Sequence, residues 1–198
     1  SYARPFGDGL SLILSIVHEA GASRCTTDGL RLRPLSVDEL FHYGQANTDA
    51  APITTVQPSG PTTCLSSQSP FIAAKAANMP ALLARQEITA PNGLFVMLPQ
   101  QHLLFYAPAD PNNISAQLHS LVDFVRFPII DAQTNNPHRA LSRDIFYYSP
   151  DGTLDAITRA DDPDVQELLS NPHISSTNYH VSVQKYLSPA FEQRFFSH

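Results

Sequence analysis

The chain has 198 residues, of which 42% are hydrophobic and only 15% are charged, and its formal net charge at pH 7 is −6. Its 12 basic residues cannot form a face that neutralises phosphates, so nucleic acid is not expected as a partner. The length suffices for one large hydrophobic core, and the longest apolar run, 10–17, is too short to span a bilayer.

The first part of the chain predicts a strand followed by a capped helix. The apolar run 10–17 is expected to form one strand. Ser36 and Glu39 have the three-residue spacing of a capping box, in which each side chain accepts a hydrogen bond from the other residue's backbone. A helix is therefore expected over 36–47.

The next stretch, 49–70, is rich in Pro, Ser and Thr, and it predicts loops with one extended edge strand at 53–56. It is also the place where a chain of two small lobes would be divided. Two short helices are expected after it, over 71–78 and 81–86, because Pro80 suits the first turn of the second helix.

Two uncharged apolar runs, 94–98 and 103–106, lie near the middle of the chain. Runs this rich in Phe, Val and Tyr predict strands that are buried on both faces. Because proline cannot donate to a strand ladder, the chain is expected to turn at Pro99 and return antiparallel. This hairpin is the expected centre on which the other elements pack.

The following part predicts a long amphipathic helix over 113–126 and then a hairpin. The apolar residues that share one face of this helix are Ile114, Leu118, Leu121, Val122 and Val125. The substitution Gln117→Ala, outside that face, is expected to change stability very little. The turn Asp151-Gly152 predicts the hairpin, with strands at 144–149 and 153–157.

The remaining elements are a short helix over 164–170 and a tail, 179–198, that reads as a strand followed by a helix. Together the elements predict an α+β fold, in which an antiparallel or mixed sheet of hairpins is packed with amphipathic helices. We expect a single domain over 1–198, with any division into two small lobes at 49–70.

Several segments share a pattern with a known family. In order they are Pro5-Phe-Gly-Asp-Gly-Leu10, Thr26-Thr-Asp-Gly-Leu30, Leu35-Ser-Val-Asp-Glu-Leu-Phe41, Gly93-Leu-Phe-Val-Met-Leu-Pro99 and Leu141-Ser-Arg-Asp-Ile-Phe146. In type, order and spacing they resemble the YtpQ-like family of uncharacterised bacterial proteins, a domain of unknown function. The resemblance implies a mixed α+β fold and supplies no catalytic residues. The chain departs from the family at 100–102, where members often have an Arg-Asp-type pair.

An acidic cluster and two tyrosines are the candidate binding residues. The carboxylates are those of Asp151, Asp155, Asp161, Asp162 and Asp164. Their order does not fit the ligand register of a calcium-binding EF-hand loop, and helix capping accounts for the last three. Together with Tyr147 and Tyr148, of which one or both would be exposed, they predict an acidic, aromatic surface that binds another protein. Alternation of the two tyrosines in a hairpin strand explains them equally well.

His102 is the candidate for acid–base chemistry, since it lies at the centre of the predicted hairpin and histidine titrates near neutral pH. A hydrolase site would combine it with Asp144 or Cys64. No metal site and no cofactor are expected, because the cysteines and histidines lack metal-ligand spacing and no glycine-rich phosphate loop is present. Cys25 and Cys64 are expected to be buried thiols, or a disulfide if the protein is exported.

The leading hypothesis is a non-enzymatic protein-binding module, of immunity or adaptor type, whose acidic surface recognises a basic partner. The alternatives are a hydrolase with a site around His102 and a structural or assembly subunit that uses the hydrophobic tail. A cytoplasmic location is favoured, while export stays open because the chain begins at Ser1 and its N-terminus fits a processed end.

Overall fold

A computed structural model describes residues 3–6, 9–18, 21–25, 35–122, 124, 141–142, 144–158, 187 and 189–196. The chain begins with two antiparallel hairpins, each a separate small sheet. Their strands are β1 (Ala3–Phe6) with β2 (Leu10–Ile13), and β3 (Ser15–His18) with β4 (Gly21–Arg24).

The prediction of one strand over 10–17 is therefore wrong, because the run divides at Leu14. Leu14 is buried together with Cys25, and Leu40 and Phe41 pack against both. The backbone N–H of Cys25 donates to the carbonyl oxygen of Leu14 at 2.9 Å. Leu14 thus leaves the strand ladder to enter a small core of its own, which a local apolar pattern cannot reveal.

Helix α1 spans Val37–Ala50, three residues longer at its C-terminus than the predicted 36–47. The predicted capping box is confirmed. The Ser36 Oγ atom accepts from the backbone N–H of Glu39 at 3.2 Å, and the Glu39 Oε2 atom accepts from the backbone N–H of Ser36 at 2.7 Å. These bonds satisfy two of the N–H groups that a helix N-terminus leaves without partners.

The centre of the fold is a six-stranded antiparallel sheet with the strand order β10-β9-β7-β8-β6-β5. Its strands are β5 (Thr55–Ser59), β6 (Thr62–Ser66), β7 (Leu94–Gln100), β8 (Leu103–Pro108), β9 (Ile145–Tyr148) and β10 (Leu154–Ala156). With the helices that pack on it, this sheet confirms the predicted α+β fold and the two predicted hairpins.

The stretch 49–70 contributes more to this sheet than the sequence predicts. The expected edge strand at 53–56 is present as β5, shifted by two residues, and it does lie at an edge. Strand β6 was not expected; it lies inside the sheet between β5 and β8, with Cys64 and Leu65 buried on opposite faces. The division into two lobes stays a prediction.

Strand β7 is buried on both faces, as its sequence predicts, since every residue over 94–98 is at most 2% exposed. The predicted turn at Pro99 is wrong, because β7 continues through Pro99 to Gln100. The register with β8 shifts between Met97 and Gln100. Pro99, which has no backbone N–H to donate, therefore lies at an irregularity of the strand ladder. The chain turns instead at Gln101 and His102.

Helices cover both faces of the sheet. On the first face, Phe95 and Met97 pack with a helix over 114–122, here called α3, and with α4 (Pro189–Phe196). On the second face, Leu94, Val96 and Leu98 pack with a 3-10 helix (Ala73–Asn78) and with α2 (Met79–Arg85).

These helices largely match the predictions. The first short helix is a 3-10 helix that leads directly into α2, and the terminal helix is confirmed as α4. None of the helices among the described residues has both the length and the apolar character that a membrane crossing requires. The predicted helix over 164–170 and the predicted strand near 179 lie outside the described residues.

The predicted inward face of α3 is confirmed for Ile114, Leu118, Leu121 and Val122, while Val125 lies outside the described residues. Gln117, outside this face, makes two hydrogen bonds that the sequence does not indicate. Its Oε1 atom accepts from the backbone N–H of Asp110 at 2.9 Å, and its Nε2 atom donates to the carbonyl oxygen of Pro108 at 2.8 Å. Gln117 thereby ties the start of α3 to the end of β8.

We expect Leu118→Ala to lower the free energy of unfolding by about 2–5 kcal/mol, because it truncates a buried side chain. Gln117→Ala should cost about 0.5–1.5 kcal/mol through its two hydrogen bonds. The exposed Ser115, in the same helix, is the control, and Ser115→Ala should change stability by less than either. Urea unfolding of the three variants tests this order, and a Leu118→Ala loss no larger than that of Ser115→Ala would contradict the assigned face.

Gly93, directly before β7, has a positive φ of 90° and lies against the ring of Tyr147. A Cβ atom at this position would lie 2.5 Å from the Tyr147 hydroxyl oxygen and 2.6 Å from two ring carbons. Gly152 has a similar φ of 94°, but the nearest atom to its Cβ position is 3.9 Å away. The two glycines therefore share the backbone requirement and differ in the space around them.

We expect Gly93→Ala to cost more than about 3 kcal/mol, since it adds a steric overlap in the core to the strain of a positive φ. Gly152→Ala should cost only about 1–2 kcal/mol, the strain alone. Chemical denaturation of both variants measures the difference. Equal losses would mean that the Tyr147 ring does not press on the backbone at Gly93.

Candidate functional site

The C-terminal end of α1 is held by two cations from other elements. A helix leaves its last four carbonyl groups without partners inside the helix, and the last turn of α1 contains no basic residue. The Lys75 ammonium group donates to the carbonyl oxygens of Thr48 at 2.6 Å and Asp49 at 3.1 Å. The Arg85 guanidinium group also donates to the carbonyl oxygen of Asp49.

Lys75 is only 4% exposed, which is unusual for a lysine. It lies in the 3-10 helix, between the buried Ala73 and Ala76, so the chain carries its side chain into the protein. Burial lowers the pKa of Lys75, and the nearby charge of Arg85 lowers it further, while the charge of Asp49 acts in the opposite direction. The ammonium group is therefore a desolvated cation on the end of a helix.

The Asp49 carboxylate is occupied by neutral amides rather than by these cations. Its Oδ1 atom accepts from Gln45 Nε2 at 2.8 Å, and its Oδ2 atom accepts from Asn78 Nδ2 at 2.6 Å. The Asn78 Oδ1 atom also accepts from the backbone N–H of Ala81, at the start of α2. These hydrogen bonds join α1 to α2 through the Asp49 carboxylate.

A cavity of about 120 Å³ opens beside Asp49. Polar and apolar groups line it in similar measure. The residues that matter for its chemistry are Lys75, Arg85, Asp49, Gln86, Ile53 and Leu82. A concave site with a few polar groups on apolar walls is the general form of a small-molecule site.

Sequence reasoning missed this cavity. Lys75 is one of two lysines in the chain, and it stands alone in the apolar run 71–78. A single charge inside such a run is a signal of a buried cation. Its partners could not have been found this way, because Thr48 and Asp49 act through their backbone carbonyls and not through a residue type.

The predicted acidic cluster is described only in part. Asp151 and Asp155 lie on the β9–β10 hairpin and are both exposed, whereas Asp161, Asp162 and Asp164 lie outside the described residues.

Asp151 serves the turn of this hairpin. Its Oδ1 atom accepts from the hydroxyl of Ser149, from the backbone N–H of Thr153 at 3.2 Å and from the hydroxyl of Thr153 at 3.0 Å. These hydrogen bonds, that of Ser149 first, lower the pKa of Asp151. The nearby charge of Arg194, in α4, also lowers it slightly.

The prediction that Tyr147 contributes to an exposed surface is wrong, because its side chain is only 5% exposed. Its hydroxyl donates to the carbonyl oxygen of Asn92 at 2.7 Å, and burial raises its pKa. Phe191 and Phe195 of α4 cover the ring, with centroid distances of 5.2 Å and 5.5 Å. Tyr148 is half-buried and packs on the second face of the sheet, against the cluster that contains Leu94, Val96 and Leu98.

The predicted hydrolase site stays a prediction. His102 is half-buried in the turn between β7 and β8, and no hydrogen bond joins it to Cys64 or Asp144 in the described part of the chain. Cys64 is buried on the first face of the sheet, with Phe95 and Met97. Burial raises the pKa of its thiol, so Cys64 is a poor nucleophile. The Asp144 carboxylate accepts from the Thr158 hydroxyl, which in turn accepts from the backbone of Ile145.

Cys25 and Cys64 are buried free thiols, which was the first of the two expectations for them. Within the described ranges, no group of three or more His, Cys, Asp or Glu side chains is placed to hold a metal ion. Comparison of the chain with protein-family models, with curated proteins and with solved structures found no match. The YtpQ-like resemblance therefore stays a prediction.

We expect Asp151→Asn to lower the melting temperature at pH 7 and to matter less in acid. The pKa of Asp151 is lower in the folded chain than the value of about 4 that an unfolded aspartate has. The ionised carboxylate therefore stabilises the fold above that pH, and its contribution is lost as the pH falls through the folded pKa.

Melting curves of the wild type and of Asp151→Asn between pH 7 and pH 2 measure this difference. The exposed Asp155 is the control, since Asp155→Asn removes a carboxylate of the same hairpin for which the structure gives no hydrogen bond. A gap between wild type and Asp151→Asn that stays constant over this pH range would contradict the assignment.

Proposed function

We propose that the protein is a non-enzymatic protein-binding module, of adaptor or immunity type, that recognises a basic segment of its partner at the β9–β10 end of the sheet. The observation that carries the proposal is the exposure of Asp151 and Asp155 together on the hairpin that ends the sheet on this side.

The backbone of β10 gives this end of the sheet a means of binding. Among the described residues, β10 has a strand partner on one side only, which is β9. An extended segment that adds to a sheet edge gains main-chain hydrogen bonds, while neighbouring side chains select which segment is accepted. Strand β10 has three residues, so the pairing would be short and would depend strongly on that selection.

The charge of the chain supports a basic segment as the partner. The net charge is −6, and a negative field of this kind attracts positive partners before contact and raises their association rate. At the hairpin itself, the hydrogen bonds that lower the pKa of Asp151 keep its carboxylate ionised at neutral pH.

The two carboxylates differ in how freely they can serve a partner. Asp151 is committed to the turn and lies near the positive charge of Arg194. Asp155 lies in β10 itself, and the structure gives it no hydrogen bond within the described residues. Asp155 is therefore the better position at which to test recognition, because its replacement leaves the turn intact.

We expect Asp155→Lys to slow association with the partner by about tenfold at low salt and to leave the melting temperature nearly unchanged. Charge reversal both removes an attraction and adds a repulsion, which acts mainly on the association rate. The matched control is Glu87→Lys, which makes the same change of net charge at an exposed residue after α2.

The measurement has two stages. Proteins are captured from source cells with wild type, Asp155→Lys and Glu87→Lys, and association of the captured partner is then timed at about 0.1 M and 1 M salt, where the Debye length falls from about 10 Å to about 3 Å. The proposal requires a salt-dependent rate that only Asp155→Lys reduces strongly. Equal rates for all three chains at low salt would contradict it.

A further inference from the structure

We infer that the cavity beside the end of α1 binds a short-chain monocarboxylate through Lys75 and Arg85. Nothing in this inference depends on the proposed surface at β10. It starts from the buried ammonium group of Lys75, to which no carboxylate of the described residues is directly bonded.

Lysine is almost never fully buried unless an anion is paired with it, because desolvation of the charge is costly. Here no carboxylate of the described residues lies within 4 Å of the Lys75 or Arg85 nitrogens. The ion pair that the described residues do form joins Arg4 to Asp38, in another part of the chain. Asp49 is the nearby acid, but its two carboxylate oxygens accept from Gln45 and Asn78.

The cations also retain donors after capping α1. A lysine ammonium group has three N–H donors, and the two carbonyl bonds of Lys75 use two of them. A guanidinium group has five N–H donors in a planar fork, and the structure gives Arg85 one bond, to Asp49. Both residues line the cavity, so the remaining donors are close to whatever occupies it.

The local charge selects a monoanion. Lys75 and Arg85 contribute two positive charges and Asp49 one negative charge, which leaves one positive charge beside the cavity. A monocarboxylate balances this charge, whereas a doubly charged phosphate would leave one negative charge without a counter-charge. Planar carboxylate oxygens also match the planar fork of an arginine.

Size and lining favour a short apolar tail on this carboxylate. A volume of about 120 Å³ favours a small ligand. Ile53, Leu82 and Pro52 supply apolar walls. Acids of two to four carbons, such as propionate, meet both conditions.

The test is calorimetric titration of the wild-type chain with sodium propionate, with sodium chloride and inorganic phosphate at equal ionic strength as the other arms. We expect saturable binding of one propionate per chain and no saturable binding of chloride. Arg85→Gln should weaken propionate binding by about tenfold or more, since it removes a charged hydrogen-bond donor. The control is Arg24→Gln, which removes an exposed positive charge in β4 and should bind propionate like the wild type.

A second variant keeps the inference testable if Arg85→Gln fails to fold. Ala81→Leu adds three carbon atoms at the lining of the cavity and keeps a good helix former in α2, so it should abolish binding without removing a charge. Asp155→Lys should bind propionate normally, which separates this result from the proposed function. Equal propionate binding by wild type and by Ala81→Leu, or tighter binding of phosphate than of propionate, would overturn the inference.

Discussion

The buried ring of Tyr147 in β9 packs against both the start of β7 and the terminal helix α4. It lies on the Cα of Gly93, its hydroxyl bonds the carbonyl of Asn92, and Phe191 and Phe195 of α4 close over it. The Gly93 carbonyl in turn accepts from the backbone N–H of Ala109, just after β8. One side chain of β9 therefore contacts the entry to β7 and the terminal helix, and the backbone of Gly93 continues the link to the end of β8. Only a glycine at position 93 leaves space for the ring.

A single rule explains which polar groups in this protein are ordinary and which one stands out. Buried polar groups need hydrogen-bond partners, and buried charges need a counter-charge as well. The Tyr147 hydroxyl has a carbonyl, and the Ser149 hydroxyl has Asp151 and Thr153. Lys75 has its carbonyls, but among the described residues no carboxylate lies within 4 Å of its ammonium group, and the nearby Asp49 acts on it only through its charge. Because Lys75 lacks a directly bonded counter-charge, we proposed a small anionic ligand at the cavity and not at the acidic turn.

The two proposed sites use opposite charges and different parts of the chain. At β10, exposed carboxylates are suited to long-range attraction, which salt screens and which contributes more to rate than to affinity. Beside α1, the Lys75 ammonium group is buried whereas Arg85 is exposed, so the interactions of Lys75 are screened less by salt and depend on contact geometry. The two proposals therefore involve different residues and do not exclude each other.

The sequence by itself determined the features that depend on local chemistry. Apolar runs predicted the β7–β8 hairpin, the Asp151-Gly152 turn predicted β9 and β10, and the Ser36–Glu39 spacing predicted the start of α1, because a turn or a cap is built from residues a few positions apart. The inward face of α3 followed from helical periodicity for the same reason.

Tertiary structure alone decided the rest. It divided the run 10–17 at Leu14, placed Pro99 inside β7, and gave Gln117 its backbone partners. It also buried Tyr147 under α4 and brought Lys75 to the carbonyls of Thr48 and Asp49, which are 27 and 26 residues away in the chain. Each of these outcomes depends on which distant backbone or ring lies opposite a side chain, and a residue's own neighbours in sequence carry no information about that.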